Sequence, residues 1–151
     1  LVDDPDALLP TIPATLFYVA EQGTVLVGRE HAVPEDVATT NQARLLIEQQ
    51  LLPPEPPLTS ALPEGTTLLG VYISDRGDAF VDFSREINTE HSGGSLEELF
   101  TIYAIVNTLT VNLPSITGVQ ILIEGQEVDT LAGHIDLRRP LAQSLKWVEP
   151  L

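Results

Sequence analysis

Asp82 and Ser84 close the run Ala79-Phe80-Val81-Asp82-Phe83-Ser84 and are the candidate binding residues, since a rigid strand end is where a fold can present polar groups to a ligand. No histidine lies close in sequence to activate the serine as a nucleophile. The structural role, in which both side chains hydrogen-bond the loop leading into the next helix, is therefore the expected one. His31, His91 and His134 are the only imidazoles, and none has a second ligand at the short spacing of a metal motif. The stretch from Asp75 to Glu86 has the length of a calcium loop, but Gly77 and Ala79 stand where oxygen ligands are needed and Phe80 where glycine is needed. Gly93 and Gly94 precede a helix start without the lysine-bearing loop that cradles phosphate, so helix capping explains them. Carboxylates are scattered with no local pairing that would mark a glycoside hydrolase. Arg138, Arg139, Lys146 and Trp147 form the one basic, aromatic stretch, for which packing of the terminal segment is expected over docking of an acidic partner. These residues predict no catalytic group, no cofactor site and no metal site.

The chain holds 151 residues, enough for one domain with its own core. Seven basic against 22 acidic residues give a net charge of -15, which opposes approach to nucleic-acid phosphates and to anionic membrane surfaces. Hydrophobic residues make up 43%, so the acidic groups belong to the surface of a folded body. Without cysteine, disulfides, thiolate metal sites and thiol redox chemistry are all excluded. No apolar run reaches the roughly 18 to 20 residues of a membrane-spanning helix. The chain begins at Leu1 and contains no methionine, which fits a processed chain whose leader or membrane anchor lies upstream.

Residues 1–13, with Asp3, Asp4, Asp6 and three prolines, read as an extended lead-in. A first hairpin is expected from Thr15–Val19 and Thr24–Val27 around Gly23, then a helix after Pro34 whose amino end Glu35 and Asp36 favour through the dipole. Its apolar positions Ala43, Leu46, Ile47 and Leu51 run to Pro53, where a stiff proline-rich connector begins. Asp75-Arg76-Gly77-Asp78 predicts a tight hairpin, with Leu69, Val71 and Ile73 on one face and Ala79, Val81 and Phe83 facing the core. Asp82 then points to the wetter side. Ser95 and Glu98 stand at the spacing of a capping box and open a second helix, whose broad apolar face runs from Leu96 to Leu109. Val119, Ile121 and Ile123 alternate as a strand into a turn at Glu124-Gly125-Gln126, with a last short strand near Val128. This order predicts an α+β fold of two layers, a mostly antiparallel sheet with two helices packed on one face.

Three stretches together resemble the GerMN domain family of sporulation and spore-germination proteins and of other envelope lipoproteins. Leu58–Thr66 is similar to the serine, proline, glycine lead into that family's central hairpin, and Ala79–Ser84 to its aspartate-apolar-serine strand end. Gly94-Ser95 through Glu98, Ile105–Leu109, Val119–Ile121, Gly125 and Gly133-His134 are similar to its capped helix, strand, glycine turn and terminal glycine-histidine. The resemblance makes residues 14–142 a single GerMN-like domain and 143–151 a tail, and names Ser95, Glu98, Gly125, Gly133 and His134 as structural motif residues. It implies a fold similar to the ring-building motifs of secretion machinery, an extracytoplasmic place at the cell envelope, and no enzymatic activity. The namesake sporulation proteins carry two copies in tandem, whereas one copy is present here.

The expected function is a non-catalytic interaction or assembly domain of a bacterial envelope protein, binding itself or another envelope protein through sheet edges or helix faces. The alternative is a binding module for a cell-wall polymer or small ligand, and a carboxylate-dependent hydrolase ranks last. Contact with nucleic acid is not expected, and contact with a membrane only through an anchor outside these residues.

Overall fold

In a computed structural model, residues 10–150 are described. Two strands, β1 (Thr11–Val19) and β2 (Leu26–Pro34), form a first antiparallel hairpin. Helix α1 (Thr39–Leu51) follows, then β3 (Leu68–Ile73) and β4 (Asp78–Phe83). A single turn, α2 (Glu86–Thr89), leads into the long helix α3 (Ser95–Asn112), and β5 (Gly118–Ile123) and β6 (Gln126–Glu127) end the regular structure. The fold class is α+β.

The strands fall into two sheets, β1-β2 and β3-β4-β5-β6, where the sequence suggests one. In the larger sheet β4 and β5 run parallel, as α3 must carry the chain back across the sheet between them, and the other pairs are antiparallel. Val71, Val81 and Ile121 stand side by side in register, as do Ala79 and Val119, and all five are buried. That face carries both helices: α1 lies against β3, α3 against β5, and the helices against each other. The opposite face is wetter, with Tyr72 59% exposed. The β1-β2 hairpin closes over α3 from the other side, so α3 is covered on several sides.

That position changes the reading of α3. From Phe100 to Thr110 every residue except Tyr103 is buried, including Thr101, Asn107, Thr108 and Thr110, so the helix has no solvated stripe in this part. These buried polar groups of α3 are tolerated because each finds a partner. The Thr101 hydroxyl donates to the Ala61 carbonyl at 2.6 Å, Thr108 to Gln50 Oε1 at 2.7 Å, and Asn107 Nδ2 to the Ser144 carbonyl at 2.8 Å.

The two-sheet arrangement has a local cause. On its side away from β2, strand β1 meets side-chain amides: Asn112 exchanges two hydrogen bonds with the backbone of Thr15, and Gln50 two with that of Phe17. Thr59 completes the series with two backbone bonds to Val19, at 2.8 and 3.1 Å. From Thr15 to Val19 the outward donors of β1 are thus already taken, which disfavours pairing of this edge with a strand of the larger sheet.

Several boundaries move for physical reasons. Strand β1 begins at Thr11, inside the stretch read as a lead-in, while residues 1–9 lie outside the described residues. β2 continues to Pro34, and α1 starts only at Thr39, so Glu35 and Asp36 precede its first turn; Asp36 instead accepts from the Ala38 N–H at 2.9 Å. A bulge between Leu68 and Gly70 turns Leu69 outward, 49% exposed, and lets Leu68 pack on the core in its place. The hairpin at Gly77 forms as expected, with φ of 89° at the glycine, where an added Cβ would meet the Ser115 carbonyl oxygen at 2.6 Å. The stretch read as a tail is tied in: Asn107 clamps Ser144 from both sides, and Val148 bridges in parallel to Leu26. Trp147 packs against the core with the Lys146 ammonium 5.1 Å from its ring centroid, so packing is the role of this stretch. Arg138 is engaged nearby in a two-pronged ion pair with Asp136, at 2.9 and 3.1 Å, which holds the Asp136 carboxyl down to about 2.

Candidate functional site

Asp82 and Ser84 do not form a site together. Asp82 is on the face away from the helices yet only 8% exposed, and its Oδ1 accepts from the Gly125 N–H at 2.8 Å. That bond braces the β5-β6 turn and not the loop into the helix. Glu124 and Gly125 both have positive φ, 49° and 76°, as a two-residue hairpin turn of the primed type requires. Ser84 Oγ accepts from the Thr67 N–H at 2.9 Å and also bonds the Glu86 side chain, which holds that carboxyl below its usual range. Ser84 therefore braces the entry to α2, the single turn that directly follows β4, and not the loop into the Ser95-led helix, and neither residue lines the cleft beside His91, the pocket between β2 and the proline-rich connector, or the groove beside β2.

Ser95 and Glu98 are not a capping box. Gly94 occupies the N-cap of α3, no side chain caps the helix, and Ser95 is exposed. Glu98 is wholly buried and turns away from its own helix end. Its carboxylate accepts the backbone N–H groups of Leu131 (3.0 Å), Ala132 and His134 (2.9 Å), and His134 Nδ1–H at 3.0 Å. Gly133, with φ of 98°, supplies the bend that lets the loop wrap the carboxylate. Glu98, Gly133 and His134 thus act as one device that fastens the loop after β6 to α3. A glutamate flanked by positions of the apolar stripe was the available signal, but helical spacing does not say what lies opposite it. Ser95→Ala is accordingly expected to change stability by less than about 0.5 kcal/mol in urea denaturation, instead of the roughly 1 kcal/mol that a lost cap costs.

Two features remain as candidates. The first is a cleft of about 340 Å3 lined by Ser60, His91, Ser92, Glu97, Phe100 and Thr101 among others. There His91 Nδ1 accepts from the Gly93 N–H at 2.9 Å, so Nε2 carries the proton and donates to Thr101 Oγ1 at 3.1 Å. The second is the side of β2 away from β1. Thr15, Phe17 and Val19 turn their backbone groups outward, so in this register Leu26, Gly28, Glu30 and Ala32 do the same on the far side. Leu26 meets the terminal segment there, donating to the Trp147 carbonyl at 2.8 Å and accepting from the Glu149 N–H at 2.7 Å. Among the described residues no backbone meets Gly28, Glu30 or Ala32 from that side. Beside this edge runs an apolar groove of about 610 Å3, lined by Phe17, Val111, Leu145, Val148 and Pro150 with Glu30 and Glu149 at its rim. Sequence alone did not point to this groove, because its walls come from both ends of the chain and from α3.

Fold and geometry together define a class: an α+β domain around a buried polar-stitched helix, with the β1 edge sealed and part of the β2 edge unpaired among the described residues. The chain belongs to the Germane family, sporulation and spore germination, whose family model matches residues 15–129. Among solved structures it is similar to the tandem GerMN domains of the sporulation protein GerM from Bacillus subtilis, at 23% identity and a TM-score of 0.68, over 88% of this chain and 46% of that one. The first GerMN domain of that protein alone gives 22% identity and a TM-score of 0.63, over 87% of this chain and 95% of that one. A candidate lipoprotein from Clostridium perfringens gives 23% identity and a TM-score of 0.63, over 94% of this chain and 92% of that one. The chain spans about half the length of the tandem structure (46%). A search of curated protein sequences returned no match. Among the described residues no helix is long and apolar enough to cross a membrane.

Proposed function

We propose that this chain is a non-catalytic interaction domain that helps assemble proteins at the bacterial cell envelope. The outer edge of β2 carries this reading: three successive outward-facing residues, Gly28, Glu30 and Ala32, present backbone groups that no described backbone meets, while the equivalent edge of β1 is sealed by Gln50, Asn112 and Thr59. A fold that closes one edge and leaves the other available is suited to strand-to-strand docking. The family match to sporulation and germination proteins and the likeness to a candidate lipoprotein favour an extracytoplasmic setting. Capture from bacterial envelope extract on immobilised domain, with sedimentation velocity over a concentration series, tests the reading. Retention of a specific envelope protein, or a concentration-dependent oligomer, is the expected result; a monomer that retains nothing overturns it.

A second reading, binding of a cell-wall polymer, draws on the cleft beside His91, whose lining combines hydroxyl, imidazole and carboxylate groups with the Phe100 ring. Co-sedimentation with purified peptidoglycan separates the two readings, since only the polymer-binding domain would pellet with the wall.

A further inference from the structure

We infer that the open edge of β2 receives an extended segment of a partner protein as an added strand, and that this segment alternates apolar with basic side chains. The inference rests on the interaction reading above and specifies the partner's chemistry.

The backbone comes first. Gly28, Glu30 and Ala32 offer outward N–H and C=O groups at the two-residue interval that a neighbouring strand matches. Among the described residues the one hydrogen bond to these groups comes from the Arg29 guanidinium, which donates to the Gly28 carbonyl at 3.0 Å from an exposed position and can swing away. The terminal segment at Trp147–Glu149 already pairs with Leu26 in this manner, so the edge accepts a strand where one is supplied.

Side chains set the composition. Alternate residues of an added strand lie over the groove, whose lining of Phe17, Val111, Leu145, Val148 and Pro150 favours apolar groups. Gly28 keeps the floor low, since a Cβ there would stand 3.0 Å from the Thr15 methyl. Glu30 and Glu149 at the rim are exposed and enter no ion pair among the described residues, and the chain carries a net charge of -15. A cationic side chain reaching that rim is attracted both locally and by the whole surface.

A second copy of this chain fits poorly. A two-fold antiparallel pairing that uses all three residues is centred on Glu30, and so sets the two Glu30 carboxylates directly opposite each other. The like charge of -15 on each copy adds to the repulsion.

The test uses the whole domain and a synthetic peptide alternating valine and lysine, with an aspartate-for-lysine peptide as control, in physiological salt. Fluorescence anisotropy is expected to show binding of the lysine peptide alone. Ala32→Pro removes one outward N–H without touching the bonds to β1, and opposite it already stands Pro13. It is expected to weaken binding about tenfold, as is Glu30→Lys, with melting unchanged. Should Ala32→Pro unfold, amide exchange on the unaltered protein decides: bound peptide slows exchange at Glu30 and Ala32 and leaves the already paired Arg29 and His31 unchanged. Peptide binding that survives both variants, or no slowing at Glu30 and Ala32, overturns the inference. If envelope extract yields a partner retained equally by Glu30→Lys and the unaltered domain, the β2 site is wrong while the interaction reading stands; if it yields none, that reading fails.

Discussion

Val81→Asp is expected to leave the chain unfolded at room temperature. Val81 is 0% exposed on β4, an inner strand, with Val71 on one side and Ile121 on the other. The aspartate would lose the roughly 1.5 to 3 kcal/mol that burial of the valine contributes. It would also place a carboxylate among apolar side chains with no donor in reach, which costs several kcal/mol more or forces the group to take up a proton. Total stability for a domain is about 5 to 15 kcal/mol, so one such change consumes most of it. Far-UV circular dichroism and a urea titration read the outcome. A cooperative transition at the unaltered midpoint would mean that β4 shows its other face to the core.

Glu98→Ala is expected to destabilise the fold by about 3 kcal/mol, the next largest effect. One carboxylate satisfies three backbone donors and the His134 ring from a position with no solvent access. Its removal leaves those donors facing an apolar hole, and because hydrogen bonds to a charged group contribute about 1.5 to 3 kcal/mol each but share one acceptor, the sum is less than additive. Part of the loss is recovered as the loop around Gly133, exposed on its outer side, swings out to water. Glu98→Gln keeps the volume and one acceptor oxygen but turns an amide NH2 toward donors, so a loss of about 2 kcal/mol is expected. Limited proteolysis should cut both variants first between Leu131 and His134. Equal cleavage of the unaltered protein there would show that the carboxylate does not fasten the loop.

Much of the secondary structure was legible along the chain, since it depends on neighbours. The Gly77 hairpin, the alternation of Ala79, Val81 and Phe83, the glycine turn at Gly125 and the stop of α1 before Pro53 all follow from backbone sterics and local periodicity. The α+β class followed from the order of those elements, and the family likeness from the resemblance of the stretches Leu58–Thr66, Ala79–Ser84 and Gly94 to His134. Errors came where a residue had two possible partners. A serine and a glutamate three apart satisfy the spacing of a cap, yet Ser95 stays in solvent and Glu98 goes to a loop 36 residues on at His134. Asp82 was expected near the following helix and instead holds a turn 43 residues away.

The sequence by itself determined that this acidic chain folds into alternating hairpins and helices, because dihedral preferences and the periods of strand and helix act within a few residues. Only the tertiary structure decided that α3 is enclosed, that Gln50 and Asn112 seal β1, and that Gly28, Glu30 and Ala32 of β2 meet no backbone on their outer side among the described residues. The reason is that a buried polar group must find a partner wherever the packed chain brings one, and that choice is made among residues far apart in sequence.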